Sequence, residues 1–450
     1  MSTTRRHFLS AAALLADAAP LAGAAAQRTV SANDRIQLGA IGLGGRGTAD
    51  VHAALDEVGG ATLVAVSDLY AGRRARAREV FGNDVFVTPD YRELLARKDI
   101  DAVIVATPDH WHAQASIDAM NAGKDVYCEK PMVHSIEEGH AVIAAERQTG
   151  RIIQVGSQRV SSVIYQKARE LIRDGAIGRL NLIEAWWERP VDSDELVFRN
   201  SIPPDASPAT IDWDRFVANT ARRPFDAQRF FWWHNYRDYG TGIPGDLFVH
   251  LFSGVHFVLD SEGPARVMAT GGTRYWHDGR EIPDLMLGLA DYAEGPHHPA
   301  FNLGLRVNFE QGSEETSGFR FVGEEGILHI HGDGVRLARH NRPPEPGYNI
   351  ETFAEATQRE FLREYRKKYP ARPATPESMR RTPVEEFLAP DEYSDHAAHM
   401  ANFFAAVRGR KPVVEDAVFG LRAAGPALLA NASHYERKIC GWDPRAMERA

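Results

Sequence analysis

The stretch Ile36-Gln37-Leu38-Gly39-Ala40-Ile41-Gly42-Leu43-Gly44-Gly45-Arg46-Gly47 decides how the rest of the chain is read. Its first half is a short apolar run that suits a buried strand better than a helix. Its second half is G-x-G-x-x-G. Glycines at this spacing permit a tight turn and close approach of backbone to a ligand, and the helix that follows aims its N-terminus at a pyrophosphate. Such a motif alone is common in turns, so context carries the weight. A second apolar run, residues 61–67, ends at Asp68. An acidic residue about 20 positions past the glycines accepts hydrogen bonds from an adenosine ribose and favours NAD over NADP. Gly42, Gly44, Gly45, Arg46, Gly47 and Asp68 are therefore candidate cofactor-binding residues. Arg73 and Arg74 could hold a 2′-phosphate instead. With Arg76 and Arg78 they read as one solvated helix face.

Outward from this stretch, apolar runs near residues 85–87, 101–106, 125–128 and 152–155 alternate with helical segments. That alternation predicts a parallel sheet with crossover helices over residues 35–156. Gly123 would stop one helix, and Ser135-Ile136-Glu137-Glu138 would cap the next. After Gly156 the pattern changes. One helix is expected over residues 161–174. Longer strands follow at 180–188, 265–271, 285–292, 301–309 and 318–331, without regular helices between them. An antiparallel or mixed sheet is expected there, in a second domain over residues 157–440. The fold class is α/β. Residues 189–237 are irregular but dense in aromatics, and 342–390 read as a charged, Pro-rich surface excursion. Two helices, near 394–408 and 415–437, close the chain.

Ligands in such folds sit at the carboxyl ends of the strands. There lie Ala106-Thr107-Pro108-Asp109-His110-Trp111-His112 and Cys128-Glu129-Lys130-Pro131-Met132. TPDHWH, then AGKDVYCEKP, in order and spacing behind the glycine motif, resemble the Gfo/Idh/MocA oxidoreductases (glucose–fructose oxidoreductase, inositol dehydrogenase and relatives). The resemblance runs from about Gln37 to Lys438. It implies an N-terminal Rossmann dinucleotide-binding domain and a C-terminal α+β domain with a large, open, mostly antiparallel sheet. It implies that Lys130 is catalytic, touching both substrate hydroxyl and cofactor, and that Thr107, Pro108, His112 and Glu129 line the cofactor site. It also points to Asp246 and His250 in Gly245-Asp246-Leu247-Phe248-Val249-His250, with the histidine as acid/base. A small carbohydrate substrate and, by analogy only, a homo-oligomer are implied.

The residues themselves agree with these roles. Positions i and i+4 share a helix face, so Asp246 would orient the His250 imidazole, a group that titrates near neutrality. Lys130 would be a useful partner if partial burial lowered its pKa. Oxidising an alcohol removes a proton as hydride departs, and Lys130 and His250 would share that task. Taken singly, Lys130 could be an ion-pair partner of Glu129, and His250 a core histidine on an apolar helix. His256 reads as structural. Asp109, His110 and His112 are metal-ligand types, but no metal is expected. In the aromatic segment Phe230-Phe231-Trp232-Trp233-His234-Asn235-Tyr236-Arg237, Tyr236 and Arg237 are the candidate substrate-binding residues. Trp186 and Trp187 face opposite sides of their strand, so at most one reaches the cofactor side.

The N-terminus carries an address. Thr4-Arg5-Arg6-His7-Phe8-Leu9, an Ala/Leu-rich stretch and the A-x-A sites at Ala22 to Ala26 read as a twin-arginine export signal over residues 1–26. A periplasmic or otherwise exported location follows. Free nicotinamide nucleotide is expected to be scarce there, so a cofactor loaded before export would be held tightly and recycled. The net charge of −9 argues against nucleic acid as the main partner. No apolar run beyond the leader reaches membrane-spanning length. Cys128 and Cys440 are expected to be reduced and buried. Three activities compete: a nicotinamide-dependent oxidoreductase acting on a sugar, polyol or glycoside hydroxyl; an NAD-dependent redox-neutral glycoside hydrolase; and a binding protein that keeps the fold for its shape.

Overall fold

The computed structural model describes residues 34–190, 198–311, 315–340, 349–370 and 384–450. The expectations placed on Arg5, Arg6 and the rest of residues 1–26 lie outside them.

Six parallel strands form the first sheet: β1 (Ile36–Ile41), β2 (Ala61–Ser67), β3 (Phe86–Thr88), β4 (Ala102–Val105), β5 (Asp125–Cys128) and β6 (Ile153–Val155). Their spatial order is β3-β2-β1-β4-β5-β6, which reverses between β1 and β4. This Rossmann-type reversal opens a crevice at the carboxyl ends of those two strands. Helices cover both faces, so β4 and β5 are buried throughout. That is why their sequences lack alternation. Ser135 and Glu138 form the expected capping box on the helix Ile136–Thr149, which ends at left-handed Gly150.

The second sheet has ten strands: β7 (Leu180–Pro190), β8 (Arg266–Gly272), β9 (Leu285–Tyr292), β10 (Phe301–Gln311), β11 (Thr316–Gly323), β12 (Gly326–His331), β13 (Gly334–Arg339), β14 (Val384–Leu388), β15 (Cys440–Asp443) and β16 (Glu448–Arg449). Their order is β14-β13-β12-β11-β7-β10-β9-β8-β15-β16. Every pairing is antiparallel except β7 with β10. The run expected as one strand over 318–331 is the hairpin β11–β12, because Glu324 and Glu325 make a turn. One face of the sheet packs on the helices Val249–Leu259 and Ala417–Glu436. On the other face Met268, Leu287 and Leu289 are exposed. Trp187 points inward to a cavity and Trp186 toward the open face.

The end of the chain departs from a single boundary at residue 157. Met400, Phe403 and Phe404 of the helix Asp395–Gly409 pack in one apolar cluster with Leu38, Ala40 and Ile104 of the first sheet. Their apolar stripe is buried by the N-terminal domain. Cys128 and Cys440 are both free and buried.

One buried acid in this interface carries a prediction. Glu415 is fully buried, and neither carboxyl oxygen makes a well-formed hydrogen bond among the described residues. Burial pushes its carboxyl well up, although Ser157 acts to lower it. A raised acid costs stability once pH exceeds its unfolded value of about 4.3. Glu415→Gln is expected to stabilise the fold by about 1–3 kcal/mol at pH 8, the cost typical of a buried unsatisfied group. The gain should shrink toward pH 4. Thermal melts of both proteins at pH 4.5, 6 and 8 check this, and an equal Tm difference at all three would refute it.

Candidate active site

A cavity of about 730 Å³ starts at the carboxyl ends of β1, β4 and β5 and reaches the inner side of the second sheet. At one end lies the glycine loop. Gly42 has φ of +88°, and a Cβ there would stand 2.5 Å from the Ala106 carbonyl oxygen. Gly47 packs against the Gly42 carbonyl, where a Cβ would sit 2.2 Å from oxygen. Gly45 has nothing within 4 Å of a built Cβ and borders the cavity. Gly44 caps the helix Gly45–His52, whose first amides face the same space. Asp68 ties the loop together: its two oxygens accept from the Leu43 and Tyr70 amides at 2.8 and 2.9 Å. Arg73 stands 3.6 Å from that carboxylate, and Arg74 Nη1 donates to the Asp68 carbonyl at 2.6 Å. Contrary to the solvated-face reading, both arginines fold back onto Asp68, Arg73 toward its carboxylate and Arg74 onto its backbone carbonyl.

At the end of β4, Thr107 and Pro108 wall the cavity, and Thr107 Oγ1 is buried without a partner among the described residues. The His112 ring nitrogens lie 2.7 Å from the Thr107 and Pro131 carbonyl oxygens. His112 thus braces one cavity loop against the other. Asp109 accepts from the Thr241 amide and hydroxyl at 2.9 and 2.5 Å. The His110 ring lies between the Phe216 and Tyr239 carbonyls, and burial pushes its pKa down to about 4. These side chains diverge, and among the described residues no three His, Cys, Asp or Glu groups gather as metal ligands.

After β5, Glu129 accepts from Gln158 at 2.6 Å and from the Lys130 amide at 3.2 Å. Beneath it lies Asp50, which the sequence reading missed. Burial, then the Glu129 charge, raise the Asp50 carboxyl well above its ordinary value. Arg46 completes the cluster, 4.0 Å from Asp50. Asp50 follows buried Gly47 by three positions, and that helical spacing was a usable signal.

The partner of Lys130 is not Glu129. Its Nζ donates to Asp246 Oδ1 at 2.6 Å and to the Asp246 carbonyl at 2.9 Å. Burial pushes the Asp246 carboxyl up, but Lys130, Arg189 and His234 together hold it well below the usual carboxylate range. Asp246 therefore orients Lys130, and it makes no hydrogen bond to His250 among the described residues. Its Oδ2 and His250 Nδ1 are both buried without partners among the described residues. The reason is local. Residues Pro244–Phe248 form a π-helical turn before the α-helix Val249–Leu259, and the wider turn breaks the i, i+4 geometry. Burial first, then the Lys130 and Arg159 charges, hold His250 well below its ordinary pKa. It meets the cavity as a neutral imidazole able to accept a proton. His256 instead bonds the Tyr292 hydroxyl at 2.9 Å, as a structural histidine does.

Tyr236 and Arg237 do not border the cavity. Tyr236 accepts from Gln228 at 2.7 Å beneath the Arg229 guanidinium, and Arg237 lies over the Tyr435 ring. A 3₁₀ turn, Trp233–Asn235, rotates them away and turns Trp233 and His234 inward. His234 is wedged between Phe198 and Trp233, with ring centroids at 4.4 and 3.5 Å. Burial pushes its pKa down to about 4, and its Nδ1 has no partner among the described residues.

The open backbone at Gly45, the helix N-terminus, Asp68 and the unpartnered Thr107 hydroxyl fit a dinucleotide. Lys130, Asp246, His250 and His234 gather at the far end, where the reacting atoms would lie. Comparison with known proteins agrees. Residues 36–157 match the model of the Gfo/Idh/MocA family, described as an oxidoreductase family with an NAD-binding Rossmann fold. Inositol 2-dehydrogenase of Klebsiella pneumoniae (strain 342) is 35% identical over 144 residues, 32% of this chain and 43% of that protein. The enzyme of the same name from Rubrobacter xylanophilus is 34% identical over 155 residues, 34% of this chain and 44% of that protein. The chain thus matches less than half the length of these relatives. A levoglucosan dehydrogenase in complex with NADH and levoglucosan superposes with a TM-score of 0.64 at 17% identity, over 90% of this chain and 98% of that one. This last likeness shows a shared fold across both domains. Residues 36–157 are therefore similar to the NAD-binding Rossmann domain of the Gfo/Idh/MocA oxidoreductase family.

Proposed function

We propose that this protein is a nicotinamide-dependent dehydrogenase of a sugar or polyol hydroxyl. The observation that carries the reading is the Lys130–Asp246 ion pair beside a neutral, buried His250, at the opposite end of one cavity from the glycine loop. A bound nicotinamide would accept the hydride released from the substrate C–H bond. Asp246 fixes Lys130, whose Nζ stabilises oxygen as negative charge develops there. His250 accepts the hydroxyl proton. The Trp187 and Trp233 rings bound the cavity and exclude water from the reacting groups. NAD is favoured over NADP because the Asp68 carboxylate borders the cavity where a 2′-phosphate would meet its charge. The redox-neutral hydrolase is not favoured, since Glu129-Lys130-Pro131 is intact and the relatives are dehydrogenases.

Export by the twin-arginine route, with cofactor loaded beforehand, is part of this proposal and rests on Arg5 and Arg6. So is a homo-oligomer formed through the open sheet face, supported by exposed Leu287, Leu289 and Ile439. Light scattering that finds a monomer at micromolar concentration refutes the oligomer.

Denaturing the purified mature protein and identifying any released nucleotide tests the main reading. NAD(H) at near one per chain, surviving dialysis, is expected, with absorbance at 340 nm rising when a sugar is added. A protein that neither holds nor binds nicotinamide nucleotide would overturn it.

A further inference from the structure

We propose, resting on the dehydrogenase reading above, that the substrate is a sugar acid, with Arg189 gripping its carboxylate while the hydroxyl to be oxidised lies at Lys130 and His250. The charges on the cavity wall are unevenly matched. Lys130 is already paired with Asp246 at 2.6 Å. Arg189, near the end of β7, borders the same cavity. Its ion-pair partner among the described residues, Glu315, stands 3.8 Å from Nε. That carboxylate is half exposed and already accepts from Trp187 Nε1 at 2.7 Å. A long, solvated pair of this kind holds its arginine weakly. Arg159 adds a second positive charge from behind. Its guanidinium lies 4.2 Å above the Trp187 ring, and the His250 imidazole is 5.3 Å from that ring.

The ionisation of the neighbouring groups records this surplus. Burial first, then Lys130, Arg159 and Arg46, act against Asp246 to keep a proton off His250, and Arg189 joins Lys130 in acting on Asp246 and His234. An anionic ligand would relieve the repulsion. A guanidinium matches a carboxylate with two parallel hydrogen bonds, a geometry that a neutral hydroxyl cannot supply. His234, neutral and with Nδ1 unpartnered, offers a second anchor for a ring hydroxyl. The reaction leaves the carboxylate unchanged. With a nicotinamide bound, the C–H electron pair would leave as hydride to it, the O–H proton would pass to His250, and CH–OH would become C=O.

The test is calorimetric titration of NAD-saturated protein with matched pairs: glucuronate and glucose, galacturonate and galactose, gluconate and sorbitol. At least one acid should bind about 10-fold or more tightly than its neutral partner. Arg189→Met should reduce that acid-to-neutral ratio by about 10–100-fold, the loss expected for charge-assisted hydrogen bonds. Arg189→Lys should keep part of it, and a circular-dichroism melt verifies that both variants fold. Neutral sugars that bind as tightly as the acids, or an acid preference that survives Arg189→Met, would overturn the proposal, as would no binding by any acid. Absorbance at 340 nm on the same samples separates the two readings. An acid preference without NADH would sink the dehydrogenase alone, and NADH from neutral sugars only would sink the sugar acid alone.

Discussion

Lys130→Met is expected to lower kcat for sugar oxidation by about 10²–10⁴-fold, the range for loss of a positioned proton-transfer or charge-stabilising group. Bound NAD should be retained, because the glycine loop and Asp68 are untouched. Two further readouts distinguish a catalytic lysine from a structural one. The first is the acid limb of the pH profile. In the wild type, burial and the Lys130 and Arg159 charges hold His250 neutral, so activity should persist below pH 6.5, where an ordinary histidine would gain its proton. Removing the Lys130 charge raises the His250 pKa, and the acid limb of the residual activity should move upward. The second is stability against pH. The Asp246 carboxyl is depressed in the folded state, so its ion pair stabilises the protein above the unfolded value of about 3.9 and ceases to do so as pH falls further. Lys130→Met leaves that carboxylate buried and unpaired. Its destabilisation should be greatest at neutral pH and narrow toward pH 4. Adding Asp246→Asn should restore stability but not turnover. A Lys130→Met enzyme with undiminished kcat would refute the assigned site.

What the sequence disclosed, and what it hid, follows from the reach of each interaction. The first domain was legible because buried parallel strands are written as contiguous apolar runs, and β2 falls on the expected residues. Lys130, Asp246 and His250 could be named because motif order is a property of the chain. Their pairing could not. Nζ of Lys130 meets a carboxylate from the second domain, and the π-helical turn at Pro244–Phe248 separates Asp246 from His250. No local pattern announces one extra residue in a turn. The same limit explains Tyr236 and Arg237. A 3₁₀ turn decides which of Trp233 to Arg237 faces inward, and composition is blind to it. Arg189 was hidden for another reason: an arginine becomes conspicuous only when its carboxylate partners can be counted in space. The short outer strands β13 to β16 pair at a sheet edge and at the chain end, where charged residues weaken the alternation that marks a strand.

The glycine loop itself can be tested by asking which glycine serves the fold and which serves the ligand. Gly47→Ala places a Cβ 2.2 Å from the Gly42 carbonyl oxygen and 3.1 Å from the Ala106 Cβ. The first neighbour is backbone in the turn at Gly42, so it cannot rotate aside. The helix Gly45–His52 must shift away from β1, carrying its N-terminal amides with it. A destabilisation of about 1–3 kcal/mol or more is expected, as for overpacking elsewhere, together with near-complete loss of bound nucleotide. Gly45→Ala is the counterpart. Nothing lies within 4 Å of its Cβ, so Tm should hold within the scatter of surface substitutions. Any loss of nucleotide affinity in that variant then measures how closely the ligand approaches the backbone. Denaturant unfolding and nucleotide titration on both proteins separate the two roles. If Gly47→Ala binds nucleotide normally, the close-packed turn is not what holds the cofactor. If Gly45→Ala also binds normally, the pyrophosphate lies elsewhere along the helix N-terminus.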